Sequence, residues 1–370
     1  MMKYAAFLFL CGILSCLAAE PPDVVFNRAA QALAAGDYTA AEQGFQAVLR
    51  QEPGNVGAIG NLGIIYARTN RADKAITAYQ SALHLSPNDE PILLNLGIVY
   101  LKQEFHALAL PYFARVVTID PGNRQARQLL AVCRLYTGEV TSAIHDLQEL
   151  RAASPRDEQI LFLLGFAYLK NGDPKTAQTV FNDMFEVAGP ARTQFLLGKA
   201  SYEAALFPQA EESFLEVLRL DPNFPTLHLE LGKLYISQRR TEDAIRELKV
   251  ALKENPANED ANYFLGSLLV RESRYAEGIN YLEQARKLKP DSWAVYFYLG
   301  RAKLHLEQTE EAVTLLRRAV ELNPDDANAQ YQLGRALQAD GQKLAATRAF
   351  GRARDLKAGA LNEINIPGVR

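Results

Sequence analysis

The sequence predicts an all-α solenoid of about ten helix-turn-helix units, and three observations carry this prediction. Prolines recur at intervals of 34 residues, and glycines and alanines recur at two other points of the same period. Each period contains two apolar stripes with the i, i+3, i+4 spacing of an amphipathic helix. Turn-forming residues separate the two stripes and follow the second one. A fixed period of this length indicates stacked helical pairs rather than a single globular domain.

The register of the period is set by its prolines. Eight of the 17 prolines fall at one repeat position, numbered 32 here: Pro53, Pro87, Pro121, Pro155, Pro222, Pro256, Pro290 and Pro324. The step from Gly165 to Gly198 is 33 residues, so one unit is a residue shorter than the others. The predicted units are therefore 22–55, 56–89, 90–123, 124–157, 158–190, 191–224, 225–258, 259–292, 293–326 and 327–360. Nine of them carry leucine at position 7, and all ten carry a large apolar residue at position 24.

The second unit shows how the residues of one period specify its elements. Ile59, Leu62 and Ile65 form the stripe of the first helix, and Ala75 and Tyr79 belong to the stripe of the second. The proline at position 32 ends the second helix, because proline cannot continue a helix and disfavours helix in the residue before it. The small residues at positions 8 and 20 lack the bulk that would hold the two helices apart.

These positions are similar to the consensus of the tetratricopeptide repeat family. Its pattern of Leu-Gly, Tyr, Ala, aromatic, Ala and Pro is represented by Leu62-Gly63, Tyr66, Ala75, Tyr79, Ala82 and Pro87. The resemblance covers residues 22–360, with departures at Arg28 and Arg134 and with no proline at the end of the tenth unit. It implies a right-handed α-solenoid whose first helices line a concave groove that binds protein segments. Repeat positions 2, 5, 6, 9, 12 and 13 would face that groove.

The implied groove has an asparagine ladder in its first three units, at Asn27, Asn61 and Asn95. Asparagine is a mediocre helix former, and its amide can both donate to and accept from a peptide backbone, so the ladder fits an extended segment. The alternative is that asparagine is merely common at this position. In the fourth and fifth units Tyr136, Phe162 and Phe166 form an apolar middle that fits an amphipathic helix.

The other end of the implied groove combines cations with aromatic residues. The candidate binding residues there are Arg192, Phe195, Lys199, Tyr202, Lys233, Tyr263, Arg271, Phe297, Arg301, Tyr331 and Arg335. Aromatic anchors beside cations suit an acidic or carboxylate-bearing segment, although Glu230 offsets part of the charge. The alternative is that the charges are solvated and the aromatic rings fill the core between repeats.

The composition excludes several classes of protein. The formal net charge of −3 gives no electrostatic case for nucleic acid as a partner. Three cysteines are too few for a disulfide scaffold, and the apolar neighbours of Cys133 predict a buried, inert thiol. No metal, cofactor or nucleophile motif is present, and the five histidines are scattered over different units. We therefore expect no enzyme activity and no cofactor.

Both ends of the chain differ from the repeats. Residues 1–19 have the basic start, apolar run and small final residues of a secretory signal peptide, with cleavage after Ala18 or Ala19. Two alternatives are lipidation at Cys16, for which Leu14 is a poor fit, and retention of the segment as an anchor. No later apolar run reaches membrane-spanning length. Residues 361–370 are expected to form a loose C-terminal tail.

The sequence thus predicts a periplasmic or secreted, non-enzymatic scaffold that binds protein or peptide segments, acidic or extended ones in particular. A lipid-anchored accessory factor of an envelope assembly or secretion complex is the main alternative. A non-catalytic subunit of a carbohydrate- or peptide-processing enzyme is a weaker one. The identity of the partner and the oligomeric state are left open.

Overall fold

The structure is a computed structural model that describes residues 20–364 of the chain. The predicted signal segment with Cys16, and residues 365–370 of the predicted tail, lie outside the described residues. Every regular element from residue 20 to residue 364 is an α-helix. The predicted fold class, an all-α repeat solenoid, is confirmed. Internal contacts divide the chain into two compact parts, each much larger than one repeat, which are called unit 1 and unit 2 from here on. The boundary lies between Gly172 and Asp173.

Unit 1, which ends at Gly172, contains nine helices from residue 20 onwards. They are α1 Pro22–Ala34, α2 Tyr38–Gln51, α3 Val56–Arg68, α4 Ala72–Leu85, α5 Glu90–Lys102, α6 His106–Ile119, α7 Arg124–Thr137, α8 Val140–Ala153 and α9 Glu158–Lys170. Each odd-numbered helix up to α7 packs against the helix that follows it, and each even-numbered helix packs against the next odd-numbered one.

Unit 2, which begins at Asp173, contains eleven helices among the described residues. They are α10 Pro174–Ala188, α11 Pro190–Glu203, α12 Phe207–Leu220, α13 Leu227–Ser237, α14 Thr241–Glu254, α15 Glu259–Arg271, α16 Tyr275–Leu288, α17 Trp293–His305, α18 Thr309–Leu322, α19 Ala327–Ala339 and α20 Lys343–Ile364. The same alternation of contacts runs through α11–α20. Helix α20 extends to Ile364, so the first residues of the predicted loose tail are helical instead.

Small residues at position 8 let the paired helices approach closely. A Cβ atom added at Gly63 would lie 2.5 Å from the Tyr79 ring, and one added at Gly97 would lie 2.7 Å from the Phe113 ring. Such distances are far inside van der Waals contact, so glycine is needed where the large position-24 side chain crosses the first helix. Tyr79 and Phe113 are fully buried. The packing role predicted for the small residues is thereby confirmed.

Short polar segments join each pair of helices to the next. After the position-32 proline, an Asp or Asn side chain accepts a hydrogen bond from the first turn of the following helix, as Asn55 does from the Ala58 N–H at 2.9 Å. Such caps satisfy backbone donors that have no partner within the helix. Equivalent caps stand at Asp89, Asn123, Asp157, Asn258 and Asp326.

Candidate protein-binding surfaces

Most of the first helices touch the first helix of the next pair within their own unit. In unit 1, α1 contacts α3, α3 contacts α5, and α7 contacts α9. In unit 2, α11, α13, α15, α17 and α19 form an unbroken series of such contacts. Positions 5, 6, 9 and 13 of these helices therefore share one surface in each unit, which we call the unit 1 surface and the unit 2 surface.

The asparagine ladder lies on the unit 1 surface with its amides unused. Asn27 is exposed, and Asn61 and Asn95 are half-buried. Their side-chain amides make no hydrogen bond to another residue within 20–364. An amide in this state can still both donate and accept. Position 9 beside the ladder is apolar throughout unit 1, with Ala30, Ile64, Ile98, Val132 and Phe166.

The predicted apolar middle of unit 1 is a connected aromatic cluster. The Tyr136 ring stacks on His106 with the ring centroids 4.3 Å apart, and it lies 6.1 Å from the Phe166 ring. Phe162 stacks on Phe166 at 6.4 Å. The Lys170 ammonium lies 5.0 Å from the centre of the Tyr136 ring. Phe166 is buried and therefore packs inside this cluster, whereas Tyr136 is 46% exposed and can be reached by a partner.

The two lysines of the unit 2 surface have different environments. The Lys199 ammonium lies 5.8 Å from the centre of the Phe195 ring, and no carboxylate within residues 20–364 pairs with it. Lys233 Nζ donates to Glu230 Oε2 at 2.8 Å. Glu230 is buried, so its pair with Lys233 is protected from solvent screening. The expected offset of charge by Glu230 is confirmed, and Lys233 is the less available of the two cations.

Most of the predicted aromatic anchors of unit 2 are half-buried rather than free. Phe195 packs between Phe214 and Phe224, at centroid distances of 6.0 Å and 4.8 Å. Burial raises the pKa of the Tyr263 hydroxyl to about 12. The Tyr202 hydroxyl is hydrogen-bonded to Ser237 Oγ at 2.9 Å. Tyr331 differs from the other anchors, because it is 46% exposed.

Rings in the last repeats of unit 2 extend this half-buried aromatic layer. Phe297 is half-buried against Trp293 and Tyr298, at centroid distances of 6.3 Å and 5.1 Å. Tyr298 also approaches Tyr263 at 6.1 Å. The predicted anchors therefore contribute mainly to packing between repeats, while their edges line the unit 2 surface.

Three arginines of the unit 2 surface lack carboxylate partners within residues 20–364. No carboxylate within residues 20–364 comes within 4.0 Å of Arg271, Arg301 or Arg335. Arg335 has one polar contact, a 3.3 Å hydrogen bond to the side-chain oxygen of Gln332. Arg192, the remaining predicted cation, is exposed at the start of α11.

Many arginines elsewhere in unit 2 are paired. Six of those on the second helices or just before them form ion pairs of 2.6–3.0 Å, namely Arg219, Arg240, Arg246, Arg274, Arg286 and Arg318. Arg271, Arg301 and Arg335 can therefore still donate to a carboxylate, whereas the guanidinium groups of these six already do so.

His305 was absent from the candidate residues but lies among these arginines. Its ring stacks on Tyr275 with the centroids 4.7 Å apart and the planes 7° from parallel. Desolvation lowers the pKa of His305, and the nearby charges of Arg335 and Arg301 lower it further. The sequence signal was the four-residue step from Arg301 to His305, which puts both side chains on one face of α17.

The part of the chain that the structure describes contains no cluster of metal-ligating side chains. Within residues 20–364 there is no group of three or more His, Cys, Asp or Glu side chains that could hold a metal ion. A hydrogen-bonding arginine is the main cause of the lowered pKa of Glu42, Glu216 and Glu277, whereas hydrogen bonds from Thr176 lower the pKa of Asp173. Cys133 is buried as predicted, and burial raises its thiol pKa to about 11.

A surface depression in the described part of unit 2 has no buried polar group left open to a ligand. A depression of about 440 Å³ is lined by Leu252, Glu277 and Tyr281, among other residues. The buried Asn262 beneath it is already bonded to the carbonyls of Pro256 and Asn258, at 3.0 Å and 2.8 Å. None of the helices within residues 20–364 combines the length and apolarity needed to cross a membrane.

Several solved structures are similar to parts of this chain. A crystal structure of MamA is 23% identical over 45% of this chain and 97% of its own, with a TM-score of 0.42. A MamA structure from Desulfovibrio magneticus is 25% identical over 45% of this chain and 94% of its own, with a TM-score of 0.43. The tetratricopeptide repeat domain of P58(IPK) is 18% identical over 87% of this chain and 98% of its own, with a TM-score of 0.30. No curated protein sequence matches the chain.

Family models establish the relationship more directly. One model described as tetratricopeptide repeat matches residues 32–90 and 269–340. A second model with the same description matches residues 94–158, 129–184, 195–259 and 229–292. Together the matches cover most of both units. The chain belongs to the tetratricopeptide repeat family.

Proposed function

We propose that this protein is an exported, non-enzymatic scaffold that holds segments of other proteins on the surfaces formed by its first helices. The observation that carries this proposal is the difference in pairing between the arginines of unit 2. Arg271, Arg301 and Arg335 lack carboxylate partners, whereas six arginines on or before the second helices have them. The guanidinium groups of Arg271, Arg301 and Arg335 are therefore open to a carboxylate of another protein.

The chemistry of the unit 2 surface favours an acidic segment. A guanidinium group binds a carboxylate with two parallel hydrogen bonds, and its planar face stacks on aromatic rings. Arg301 is half-buried, so its attraction for an anion is screened less than that of a fully exposed side chain. The exposed ring of Tyr331 supplies apolar contact area nearby in the same repeat series. Charge then provides selectivity, and the rings provide contact area.

The unit 1 surface favours a different kind of segment. Its position-9 residues are apolar, and the amides of Asn27, Asn61 and Asn95 are unengaged within residues 20–364. Asparagine amides fit the backbone of an extended segment, and the exposed Tyr136 with its neighbours fits the apolar face of a helix. We propose that segments with few charges bind here.

Binding can be tested with short labelled peptides. Octaglutamate, octalysine and octaserine, each carrying fluorescein, are titrated with the protein at low salt, and binding is read from fluorescence anisotropy. We expect octaglutamate to bind most tightly. The variant Arg271→Gln, Arg301→Gln, Arg335→Gln should lose most of this binding.

The matched control removes three paired arginines instead, as Arg246→Gln, Arg286→Gln, Arg318→Gln. Both triple variants change the net charge equally, so a loss confined to the first variant identifies the surface. Equal loss in the two variants would mean that only overall charge matters, and the proposal would fail.

Export and anchoring are a separate part of the proposal, and they rest on residues 1–19. Mass spectrometry of the mature N-terminus distinguishes the alternatives. Cleavage after Ala18 or Ala19 gives a free scaffold, whereas an acylated Cys16 gives the lipid-anchored accessory factor of an envelope complex. An unprocessed Met1 would contradict both.

A further inference from the structure

His305 occupies a position from which it can respond to a bound anion. It ends α17, one turn beyond Arg301, and α17 packs against α19, which carries Arg335. Tyr275 of α16 covers one face of its ring. The charged and titratable groups that the structure shows acting on it are thus Tyr275, Arg301 and Arg335.

The neighbourhood of His305 contains cations but no paired carboxylate. No carboxylate within residues 20–364 comes within 4.0 Å of its ring. His228, on α13 of the same unit, has the opposite environment, with Glu247 at 2.8 Å and Glu254 at 3.6 Å. His228 therefore already has the counter-charges that His305 lacks, which makes it an internal control.

We propose that Arg301, His305 and Arg335 form one carboxylate-binding site, in which the arrival of an acidic segment draws a proton onto His305. The inference rests on the proposed function and adds a residue and a pH dependence to it. The ligand is a run of Asp or Glu side chains in another protein, because the site presents three separate donors along two adjacent helices rather than a single enclosed pocket.

The direction of the pH effect follows from the charges. His305 is exposed at the end of α17, but partial desolvation of its ring and the charges of two arginines disfavour the protonated form, so the pKa of His305 lies below its ordinary value. A bound carboxylate attracts the imidazolium and offsets the repulsion from the arginines, so the pKa rises in the complex. Affinity must then increase as the pH falls from the bound-state pKa towards the free-state pKa, and it is constant outside that window.

The size of the effect is set by the change in pKa. A rise of about one pH unit on binding corresponds to about a tenfold gain in affinity across the window. A single glutamate titrates near pH 4.3, and neighbouring carboxylates in octaglutamate raise that pKa, so the pH dependence of the His305→Gln variant serves as the baseline for the peptide's own titration.

The experiment follows the histidine ring protons of the full-length protein by NMR while the pH is varied, with and without octaglutamate. His305 is assigned with His305→Gln. Octaglutamate should raise the pKa of His305 by about one unit and leave the His228 resonance in place. Without any peptide, Arg301→Gln or Arg335→Gln should also raise the pKa of His305, whereas Arg318→Gln should not.

Peptide affinity measured between about pH 5.5 and about pH 8 completes the test. Wild-type affinity should increase about tenfold towards low pH, and His305→Gln should flatten the curve while keeping the high-pH affinity. If octaglutamate binds at the arginines but the pKa of His305 does not move, the inference is overturned and the proposed function stands. If octaglutamate fails to bind at any pH, both are overturned.

Discussion

The two units share a repeat register, but position 9 of their first helices is apolar in unit 1 and mostly cationic in unit 2. In unit 1 this position holds Ala30, Ile64, Ile98, Val132 and Phe166, whereas in unit 2 it holds Lys199, Lys233, Ser267, Arg301 and Arg335. Position 24 shows no such divergence, since Phe113 in unit 1 and Phe214 in unit 2 are both fully buried. The core positions fix the fold, and the first-helix surface is free to vary in chemistry.

The largest expected effect concerns position 24, a core position that recurs in both units. Phe113→Ala and Phe214→Ala each remove a fully buried ring that packs on a glycine, so each should lower the free energy of unfolding by about 3–5 kcal/mol. Urea unfolding followed by circular dichroism measures the change. Leu344→Ala, at a side chain that is 69% exposed, should change it by less than about 0.5 kcal/mol. A small loss at only one of the two phenylalanines would show that the units do not depend equally on this position.

The second prediction compares the two units through the reactivity of the Cys133 thiol, which lies in unit 1. Burial raises the pKa of the Cys133 thiol from 9.0 to about 11, so the thiolate fraction at neutral pH is reduced roughly a hundredfold. In a chain that begins at residue 20, a thiol reagent should therefore react with native Cys133 at least about a hundredfold more slowly than with the unfolded chain. Phe113→Ala should speed the reaction more than Phe214→Ala does, because Cys133 and Phe113 belong to one cluster. Equal acceleration would mean that the two units open together.

The sequence predicted the core much better than it predicted the surface. Gly63 and Tyr79 are in contact where the two helices pair, so packing dictates which residues can stand there. The same residue types therefore recur at these positions in successive repeats, where the sequence shows them. The stacking of His305 on Tyr275 and the unpaired state of Arg301 leave no such pattern in the sequence. Both depend on the rotamers that long side chains adopt between neighbouring helices, and residue spacing does not determine those.

The third prediction is that peptide affinity depends on salt concentration at the unit 2 surface but not at the unit 1 surface. Binding of octaglutamate to the unit 2 surface should weaken at least about tenfold between about 50 mM and about 300 mM NaCl, because exposed charges are screened over a Debye length. An amphipathic helix of leucine and glutamine, bound on the unit 1 surface, should keep its affinity, since burial of apolar area is not screened. Isothermal titration calorimetry measures both.

Substitutions assign each peptide to its surface in the same titrations. Ile98→Asn should weaken only the leucine-rich helix, and Arg301→Gln should weaken only octaglutamate. If both peptides respond to Arg301→Gln, the two surfaces are not chemically distinct.

The smallest expected effect lies in a feature that both units share and that the period did not reveal. The residue at position 15, between the helices of each pair, has positive φ in all ten repeats: Gly36, Asn70, Glu104, Gly138, Gly172, Ala205, Arg239, Ser273, Glu307 and Gly341. A non-glycine residue in this left-handed conformation costs roughly 1 kcal/mol, so Glu104→Gly in unit 1 and Glu307→Gly in unit 2 should each stabilise the protein by about 0.5–1 kcal/mol. Gly138→Ala and Gly341→Ala should destabilise it by a similar amount, as measured by urea unfolding. A stabilisation at Glu307 without one at Glu104 would show that the cost of this turn depends on the unit and not on the backbone conformation alone.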